Sequence, residues 1–306
     1  MTMKEKVLLT GATGYIGKYI SSQLTDQYDI YAMSKYPSEQ IEDVTWLTGD
    51  MFSLNDCIDA MTHVDFGIYF LDPNKRSSRM NDAKFRDINA ISADNFARAA
   101  EITELKAIFY VSGTSDDEET LNILRSYKTP VHASVTSVKR KGIVAQTQNS
   151  EINDVRSIQR TLMPSSWTVA EVSHHYFNWL NDMAFNIINV NHKDNAYTIN
   201  AAGKNVLTLT EDKEKSDINR IVYKITDGSF YKDTPESRAR MEFRRLKNSE
   251  TLIIALHDYE PTIPWLVYIL TQLPIHHLSM KIFDIEMRIA RFQEDKANGV
   301  EKHYTK

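Results

Sequence analysis

The first half of the chain alternates short apolar runs with segments of helical periodicity. The runs predict strands at Lys6–Thr10, Ile30–Ser34, Thr45–Thr48, Phe66–Leu71, Ala107–Ser112 and Val131–Thr136. Between them, apolar positions three and four residues apart predict helices; these are Tyr15–Thr25, Leu54–Met61, Asp82–Glu101 and Thr120–Tyr127. Strands that alternate with helices are typical of a parallel sheet with helices on its faces. The first half is therefore predicted to be an α/β domain.

The pattern changes after Lys141. Residues 142–154 are polar and predict a linker, which divides the chain into domains at 1–149 and 150–306. A helix is predicted from Thr168 to about Asn181, because Glu171 completes a capping-box pattern with Thr168. Alternating runs then predict strands at Phe185–Val190, Tyr197–Asn200, Val206–Thr210, Arg220–Ile225, Arg240–Leu246 and Thr251–His257, before a helical stretch at Ile263–Asn298. This order predicts an α+β domain whose antiparallel sheet wraps the final helix.

The most specific local motif is the segment Thr10-Gly11-Ala12-Thr13-Gly14-Tyr15-Ile16-Gly17, which follows the first predicted strand. Glycines at this spacing allow a tight turn, a close approach of the backbone to a phosphate, and close packing of the next helix. The N-terminus of that helix offers free N–H groups and the positive end of its dipole to a pyrophosphate. The motif predicts a dinucleotide site; the alternative is a purely structural turn between strand and helix.

Composition and charge narrow the choice of partners. The 306 residues carry a net charge of −5, and residues 139–141 form the longest basic run, so nucleic acid is not an expected partner. The single cysteine, Cys57, forms no internal disulfide and fits a reducing compartment. Residues 263–283 are too polar to predict a membrane span, and the N-terminus runs straight into a strand without room for a signal peptide. A cytoplasmic location without a membrane span is expected.

Further motifs extend the glycine segment into a family pattern. These are Gly49-Asp50-Met51, Tyr69-Phe70-Leu71, Asn89–Ala100 and Tyr110-Val111-Ser112-Gly113. With them, residues 1–140 resemble the atypical short-chain dehydrogenase/reductases, the NmrA-like group of NAD(P)-binding Rossmann proteins. The resemblance implies a nicotinamide dinucleotide bound at the ends of the parallel strands.

The second half resembles the START or polyketide-cyclase helix-grip domains that some members of this group carry. The matching runs are Val155–Arg160, Tyr176–Leu180, Met241–Arg244, Ile254–Tyr259 and Pro264-Trp265. The resemblance implies a cavity for an apolar small molecule, bordered by Trp179, Tyr176, Trp265, Tyr268 and Met280. The alternative is that these side chains fill the core, as large aromatic residues usually do.

The resemblance assigns the cofactor contacts residue by residue. They are Gly11, Thr13, Gly14, Tyr15, Ile16, Gly17, Ser34, Lys35, Asp50, Met51, Phe70, Leu71 and Ser112. At the end of the second strand a cation and a hydroxyl suit a 2′-phosphate, so Lys35 favours NADP over NAD; a surface lysine is the alternative. Asp50 is expected to accept a hydrogen bond from the adenine amino group, with a helix N-cap as the alternative role. Core packing explains Phe70 and Leu71 equally well.

One catalytic feature of the wider family is missing from its usual place. Active members pair a tyrosine with a lysine four residues later, so that the ammonium lowers the phenol pKa for proton transfer. Tyr31 and Lys35 have this spacing, but on the second predicted strand, and Lys139 has Val135 upstream of it instead of a tyrosine. Ser112 matches the serine of active relatives and is the candidate catalytic group. The usual proton-transfer pair is therefore predicted to be absent.

Several histidines are candidate metal ligands or acid–base groups. The pairs His174-His175 and His276-His277 point apart on a helix and have no convergent carboxylates, so no metal site is predicted. His257 and Asp258 could act as base and acid, although a charge at a strand end is more common.

These observations predict an NAD(P)-binding oxidoreductase that acts on an unidentified, apolar small molecule. The alternative is a non-catalytic sensor of NADP(H) or of a ligand, which the missing Tyr-Lys pair favours. A nucleotide-sugar epimerase ranks below both, because it also needs that tyrosine. A homo-oligomer is compatible with the sequence.

Overall fold

The computed structural model describes residues 3–35, 37, 41, 43–71, 78–112, 117–134, 153–183 and 188–300. The chain forms two compact units: Met1–Ser77 with Ile88–Asn149, and Ser78–Asp87 with Ser150–Lys306. The predicted division at 149 and 150 assigned residues 78–87 to the first domain, whereas they pack in the second unit. The reason is a short strand, Met80–Asp82, that pairs with Val155–Ser157 far along the chain.

The strands and helices are numbered in chain order. The strands are β1 (Glu5–Leu9), β2 (Tyr28–Ser34), β3 (Val44–Thr48), β4 (Phe66–Tyr69), β5 (Met80–Asp82), β6 (Ala107–Val111), β7 (Val131–Ser134), β8 (Val155–Leu162), β9 (Ile188–Lys193), β10 (Ala196–Ala201), β11 (Lys204–Glu211), β12 (Arg220–Asp227), β13 (Arg240–Arg245) and β14 (Thr251–Tyr259). The helices are α1 (Tyr15–Leu24), α2 (Leu54–Met61), α3 (Phe85–Ile102), α4 (Glu118–Arg125), α5 (Val169–Met183), α6 (Trp265–Leu270) and α7 (Gln272–Ala297).

The first unit contains the predicted parallel sheet. Its six strands lie in the order β3-β2-β1-β4-β6-β7, and each neighbouring pair is parallel. Because the order reverses between β1 and β4, the carboxyl ends of these strands form the crevice where open α/β sheets bind ligands. The α/β fold class is confirmed, with Val7, Leu9, Ile30 and Ile68 buried in the core of the sheet.

The second unit is built on an eight-stranded sheet in the order β5-β8-β14-β13-β12-β11-β10-β9. Neighbours are antiparallel except for β5 and β8, which are parallel. Helix α5 begins with the predicted capping box: Thr168 N donates to Glu171 Oε2 at 2.7 Å, and Glu171 N donates to Thr168 Oγ1 at 3.2 Å. The predicted order of helix, meander and C-terminal helix is present, although the last stretch is interrupted at Thr271.

Strand β8 was absent from the predicted strands, although it pairs with both β5 and β14. Its apolar residues Val155 and Ile158 are three positions apart and therefore hide the two-residue period of a strand. A second prediction was wrong at its start: Asp82 ends β5, and α3 begins at Phe85. Both differences come from pairing between distant segments, which periodicity within one segment does not report.

The two faces of the second sheet differ in character. On β13, Met241 and Phe243 belong to the apolar core that also contains α5 and α7 residues. The alternate residues Arg240, Glu242 and Arg244 point to the opposite face, and all three are buried. Among the described residues, no helix is long and apolar enough to cross a membrane.

Candidate functional site

The glycine motif lies at the carboxyl end of β1, beside the end of β4. Thr10 Oγ1 donates to the Phe70 carbonyl at 2.7 Å, and Phe70 N donates back to Thr10 Oγ1 at 2.8 Å. Gly14 N then donates to Gly11 O at 2.9 Å, which closes the turn before α1. The threonine hydroxyl therefore fixes the two strand ends between which the loop emerges.

At two of the glycines, Gly11 and Gly17, the neighbouring atoms leave no room for a side chain. Gly11 has φ +65, and a Cβ built there would lie 2.9 Å from both Phe70 Cδ1 and the Phe70 carbonyl oxygen. A Cβ on Gly17 would lie 2.2 Å from Gly11 O and 2.5 Å from Ala12 Cα. Because these neighbours are mostly backbone atoms, a side chain at Gly17 would push the helix off the loop. The loop therefore has the close packing that a phosphate-binding turn needs.

The start of α1 is suited to an anion. Gly14 is its N-cap residue, with extended backbone and no side-chain hydrogen bond to the first turn, and the first turn carries no acidic residue. The N–H groups of a first turn have no partner within the helix and carry the positive end of its dipole. Thr13 and Ile16 are both part-exposed beside this turn. The backbone of Tyr15 begins α1, while its side chain lies outside the described part of the chain.

Ser34 and Lys35 lie at the end of β2, next to the end of β3. Gly49 N donates to Ser34 O at 3.0 Å, so the two strand ends stay paired beyond the sheet. Lys35 Nζ lies 4.0 Å from Asp50 Oδ2, and the two side chains are 17% and 5% exposed. The structure therefore brings together three residues that the sequence placed at the adenosine end of the site.

Asp50 is not the N-cap of α2. Its Oδ1 accepts a hydrogen bond from Phe52 N at 3.0 Å, and its own N–H donates to Asp56 Oδ2 at 2.8 Å. The N-cap is Ser53, whose hydroxyl accepts from Asp56 N and donates to Asp56 Oδ1. Asp50 therefore shapes the loop after β3. Of the other predicted contacts, Met51 and Leu71 are part-buried, and Phe70 is buried beneath the glycine loop.

A buried polar network that the sequence patterns do not predict lies at the ends of β4 and β6. Tyr69 Oη donates to Asn89 Oδ1 at 2.7 Å, and Asn89 Nδ2 donates to Asp117 Oδ2 at 3.0 Å. Tyr110 Oη donates to the same carboxylate oxygen at 2.6 Å. Asp117 is also the N-cap of α4, accepting from Thr120 N. The aspartate before Glu118 and Glu119 was the available signal, since it is typical of a helix start.

Ser112, the candidate catalytic group, is part-exposed just beyond β6. Its hydroxyl contacts the phenol of Tyr110; burial and the bond to Asp117 raise the pKa of Tyr110, and the Ser112 contact partly opposes them. A tyrosine that transfers protons near neutral pH needs the opposite shift. Gly113 of the family motif and Lys139 both lie outside the described residues.

The second unit brings several histidines into polar contacts but assembles no metal site. No group of three or more His, Cys, Asp or Glu side chains within the described ranges could hold a metal ion. His276 Nε2 lies 3.0 Å from Ser157 Oγ, and His277 Nδ1 lies 3.3 Å from Asp82 Oδ2. His257 is fully buried, and burial together with Arg240 holds its pKa well below the usual range. Its burial does not favour the acid–base role considered for His257.

The residues expected to border a ligand cavity contact the aromatic core. Tyr176 is buried and lies edge-on to Phe283, with ring centroids 5.0 Å apart, and Trp179 lies 5.1 Å from the same ring. Tyr268 and Met280 are also buried, and Trp265 packs against Tyr268 at 5.8 Å. Burial raises the pKa of Tyr176 to about 12, so its phenol stays neutral. These contacts favour the core-packing alternative.

A dense ionic cluster occupies the opposite face of the same sheet. Glu242 Oε1 accepts from Arg220 at 2.8 Å and from Arg240 at 2.9 Å, and Glu242 Oε2 accepts from Arg244 at 3.0 Å. Arg240 also donates to Asp258 at 2.8 Å. Glu242 is fully buried, yet the three arginines hold its pKa well below the ordinary value. Buried charges of this kind need every partner, because an uncompensated charge is costly.

Comparison with known proteins finds a family that matches the first unit and a relative that matches the whole chain. Residues 7–129 match the NAD dependent epimerase/dehydratase family. The UDP-N-acetylglucosamine 4-epimerase of Bacillus cereus is 24% identical over 38% of this chain and 39% of its own, with a TM-score of 0.29. A nucleoside-diphosphate-sugar epimerase of Staphylococcus aureus is 14% identical over 43% and 49%, with a TM-score of 0.34. The chain thus spans less than half of each of these structures.

A second kind of relative covers the entire sequence. The auxiliary protein GraX of Staphylococcus aureus (strain NCTC 8325 / PS 47) is 33% identical over 308 residues, which include 99% of this chain and all of the relative. Both compact units lie within this match. The chain therefore belongs to the family of the auxiliary protein GraX, with a first unit that matches the NAD dependent epimerase/dehydratase family.

Proposed function

We propose that this protein binds a nicotinamide dinucleotide at the glycine loop of its first unit and acts as a non-catalytic sensor of that nucleotide. The observation that carries the binding proposal is the cradle around Gly11 and Gly17, which two Cβ atoms would fill. It lies beside a helix start without a side-chain cap. These are the properties by which a backbone turn binds a pyrophosphate.

The remaining side chains suit the adenosine half of the nucleotide. Lys35 would contact a 2′-phosphate, and Asp50 would accept from the adenine amino group. Because Lys35 lies near Asp50, its ammonium is held in place at the end of β2. We therefore propose NADP(H) as the preferred cofactor. The bound nucleotide supplies hydride chemistry in the enzymes of this superfamily.

The non-catalytic part of the proposal is supported by the side chains around Ser112. The neighbouring tyrosine, Tyr110, donates to Asp117 and has a raised pKa, so it is a poor proton donor at neutral pH. The relative that matches the full length is named an auxiliary protein. A sensor needs only a difference in binding free energy between the oxidised and reduced nucleotides.

An oxidoreductase is the second candidate, and the contact between Ser112 and Tyr110 favours it. In that function Ser112 would orient the carbonyl of an apolar substrate. The helix-flanked antiparallel sheet of the second unit supports a helix-grip fold, while the residues expected to border its cavity pack in the core. Both candidates share the nucleotide site and differ in whether the hydride is transferred.

Calorimetric titration with NADPH, NADP⁺, NADH and NAD⁺ tests the binding proposal, repeated on Gly14→Val. Tight binding of one oxidised and reduced pair, lost in the variant, supports it. Gly203→Ala is the control for a strained glycine substitution outside the loop, since Gly203 lies in the second unit with φ +75 and a Cβ there would meet nothing within 4 Å. No binding of any nucleotide by the folded wild-type protein would overturn the proposal.

Turnover separates the two candidates. NADPH absorbance is followed with panels of aldehydes, ketones and quinones, for the wild type and for Ser112→Ala. A sensor leaves the absorbance constant with every compound. NADPH consumption by the wild type that Ser112→Ala abolishes would overturn the sensor and support the oxidoreductase.

A further inference from the structure

Helix α7 carries two sets of apolar residues on opposite sides, and one of them is largely exposed. Its buried residues are Met280, Phe283, Met287, Arg291 and Asp295, and the first three belong to the core of the second unit. At about 100° per residue, these positions occupy one side of the helix. A second set of apolar residues lies on the opposite side, about 180° away.

This second set forms what we call the α7 stripe: Ile275, Leu278, Ile282, Ile285, Ile289 and Phe292. Five of them are 47–64% exposed, and Ile282 is part-exposed. Ten of the seventeen exposed large apolar side chains in the described part of the chain lie between residues 266 and 300. Scattered exposed apolar residues are ordinary, but a contiguous patch of this kind marks an interaction surface.

The spacing within the α7 stripe fits a helix as the partner. Successive members are three, four, three, four and three residues apart, which is the a/d pattern of a coiled coil. Isoleucine occupies every a position, at Ile275, Ile282 and Ile289. The stripe runs for about 26 Å along the helix, at 1.5 Å per residue.

The flanking charges indicate which helix fits. Lys281 occupies a g position and Glu286 the e position five residues later. In a parallel pair of identical helices, a g residue faces the e residue five positions on in the partner, so Lys281 of each copy would meet Glu286 of the other. In an antiparallel pair g faces g, which would bring Lys281 and Arg288 of both copies together. Glu286 also contacts His175 within its own chain, at 3.4 Å.

We propose that two copies of this protein associate through the α7 stripe as a parallel two-stranded coiled coil. A membrane surface fits less well, because helices that lie on anionic lipid carry cationic flanks, whereas Glu286 and Lys281 give this stripe flanks of opposite sign. A second copy would bury the apolar stripe and pair Lys281 of each chain with Glu286 of the other.

Sedimentation equilibrium of the full chain tests the association. The wild type is expected to be a dimer at micromolar concentration, and Ile285→Asp is expected to raise the dissociation constant at least 100-fold, because each dimer would bury two unpaired carboxylates. The matched control is Ile218→Asp. It makes the same change at an isoleucine that is 80% exposed and lies outside α7. Thermal unfolding confirms that both variants fold.

Two measurements test the orientation. Lys281→Glu and Glu286→Lys should each weaken the dimer, and the double variant should restore it; an antiparallel pair gains no such rescue. Ile285→Cys should form a disulfide between copies under mild oxidation, because identical d positions face each other in a parallel pair. The native Cys57 is buried, and Ile218→Cys serves as the control for random crosslinking.

Three outcomes would overturn the proposal. One is a wild-type protein that stays monomeric at 100 times the micromolar concentration at which the dimer is expected. Another is a dimer that Ile285→Asp and Ile218→Asp weaken equally, which would place the interface elsewhere. The third is a monomer that floats with anionic phospholipid vesicles and loses this property in Ile285→Asp, which would make the stripe a lipid-binding surface.

Discussion

Lys35 Nζ lies 4.0 Å from Asp50 Oδ2, across the ends of two neighbouring strands at the proposed nucleotide edge. The lysine follows β2 and the aspartate follows β3, so the pair exists only because these strands are adjacent and parallel. Both side chains are largely buried. A positive and a negative group therefore lie together where the adenosine half of a dinucleotide is proposed to bind. The lysine favours the 2′-phosphate of NADP, whereas an acidic group at this edge favours the free 2′-hydroxyl of NAD.

Replacing Lys35 by alanine is expected to weaken NADPH binding about tenfold while changing NADH binding less than twofold. A hydrogen bond to a charged group is worth about 1.5–3 kcal/mol, and only NADPH carries the 2′-phosphate. Calorimetric titration of both nucleotides measures the difference. Lys106→Ala is the control, because Lys106 precedes β6 and pairs with Glu5 and Asp65. An equal loss for both nucleotides would contradict a role in cofactor preference.

Replacing Gly17 by alanine is expected to abolish nucleotide binding and to destabilise the first unit by about 1–3 kcal/mol. The new Cβ would lie 2.2 Å from Gly11 O, so the helix start must move away from the loop. Denaturant unfolding measures the stability in a background in which Trp167, Trp179 and Trp265 are replaced by phenylalanine, so that Trp46, the one tryptophan of the first unit, is the fluorescent reporter. Gly203→Ala should leave binding unchanged. Wild-type affinity in Gly17→Ala would show that the loop tolerates a side chain.

Glu242→Gln is expected to destabilise the second unit by about 3–5 kcal/mol at pH 7, because three buried arginines lose their shared carboxylate charge. The lowered pKa of Glu242 means that its stabilisation is present above the ordinary pKa and is lost as the pH falls through the folded-state value. Denaturant unfolding of the Trp46→Phe background reports on the tryptophans of the second unit. Glu260→Gln breaks the exposed pair with Lys232 and should cost less than about 1 kcal/mol.

Buried His257 is expected to make the second unit less stable in mild acid. Its folded-state pKa is lowered by burial and by Arg240 and Arg156, against the opposing charges of Glu242 and Asp258. The unfolded chain therefore binds the proton first, and the free energy of unfolding falls as the pH drops below about 6.5. The slope approaches about 1.4 kcal/mol per pH unit for each proton.

Unfolding free energies measured between pH 7.5 and 5.5 should therefore fall less steeply for His257→Gln than for the wild type. His276, whose pKa is also lowered, leaves a residual slope in the variant. Asn219→Gln provides the control, since it changes an exposed side chain that binds no proton and should keep the wild-type slope. Identical slopes in all three proteins would show that His257 does not titrate on unfolding.

The parts of the fold that the sequence predicted well are those with a local signal. Helix α2 has the predicted bounds, Leu54–Met61, because its apolar residues keep helical spacing and Ser53 caps it. Helix α5 begins at the predicted capping box with Thr168. In contrast, β5 and the parallel pairing of Met80–Asp82 with β8 involve segments separated by more than 70 residues. No pattern within either segment contains that information.

The sequence by itself determined the glycine loop and its helix. The glycines that the tight turn requires and the start of the helical periodicity both lie within the eight residues Thr10–Gly17. The sequence also contained the heptad spacing of the α7 stripe. Only the tertiary structure decided that Asp117 would gather Tyr110 and Asn89, and that three arginines from two strands would converge on Glu242. It also decided which face of α7 stays exposed. The physical reason is that burial and charge pairing depend on which distant segments meet, whereas turns, caps and periodicity depend on neighbours along the chain.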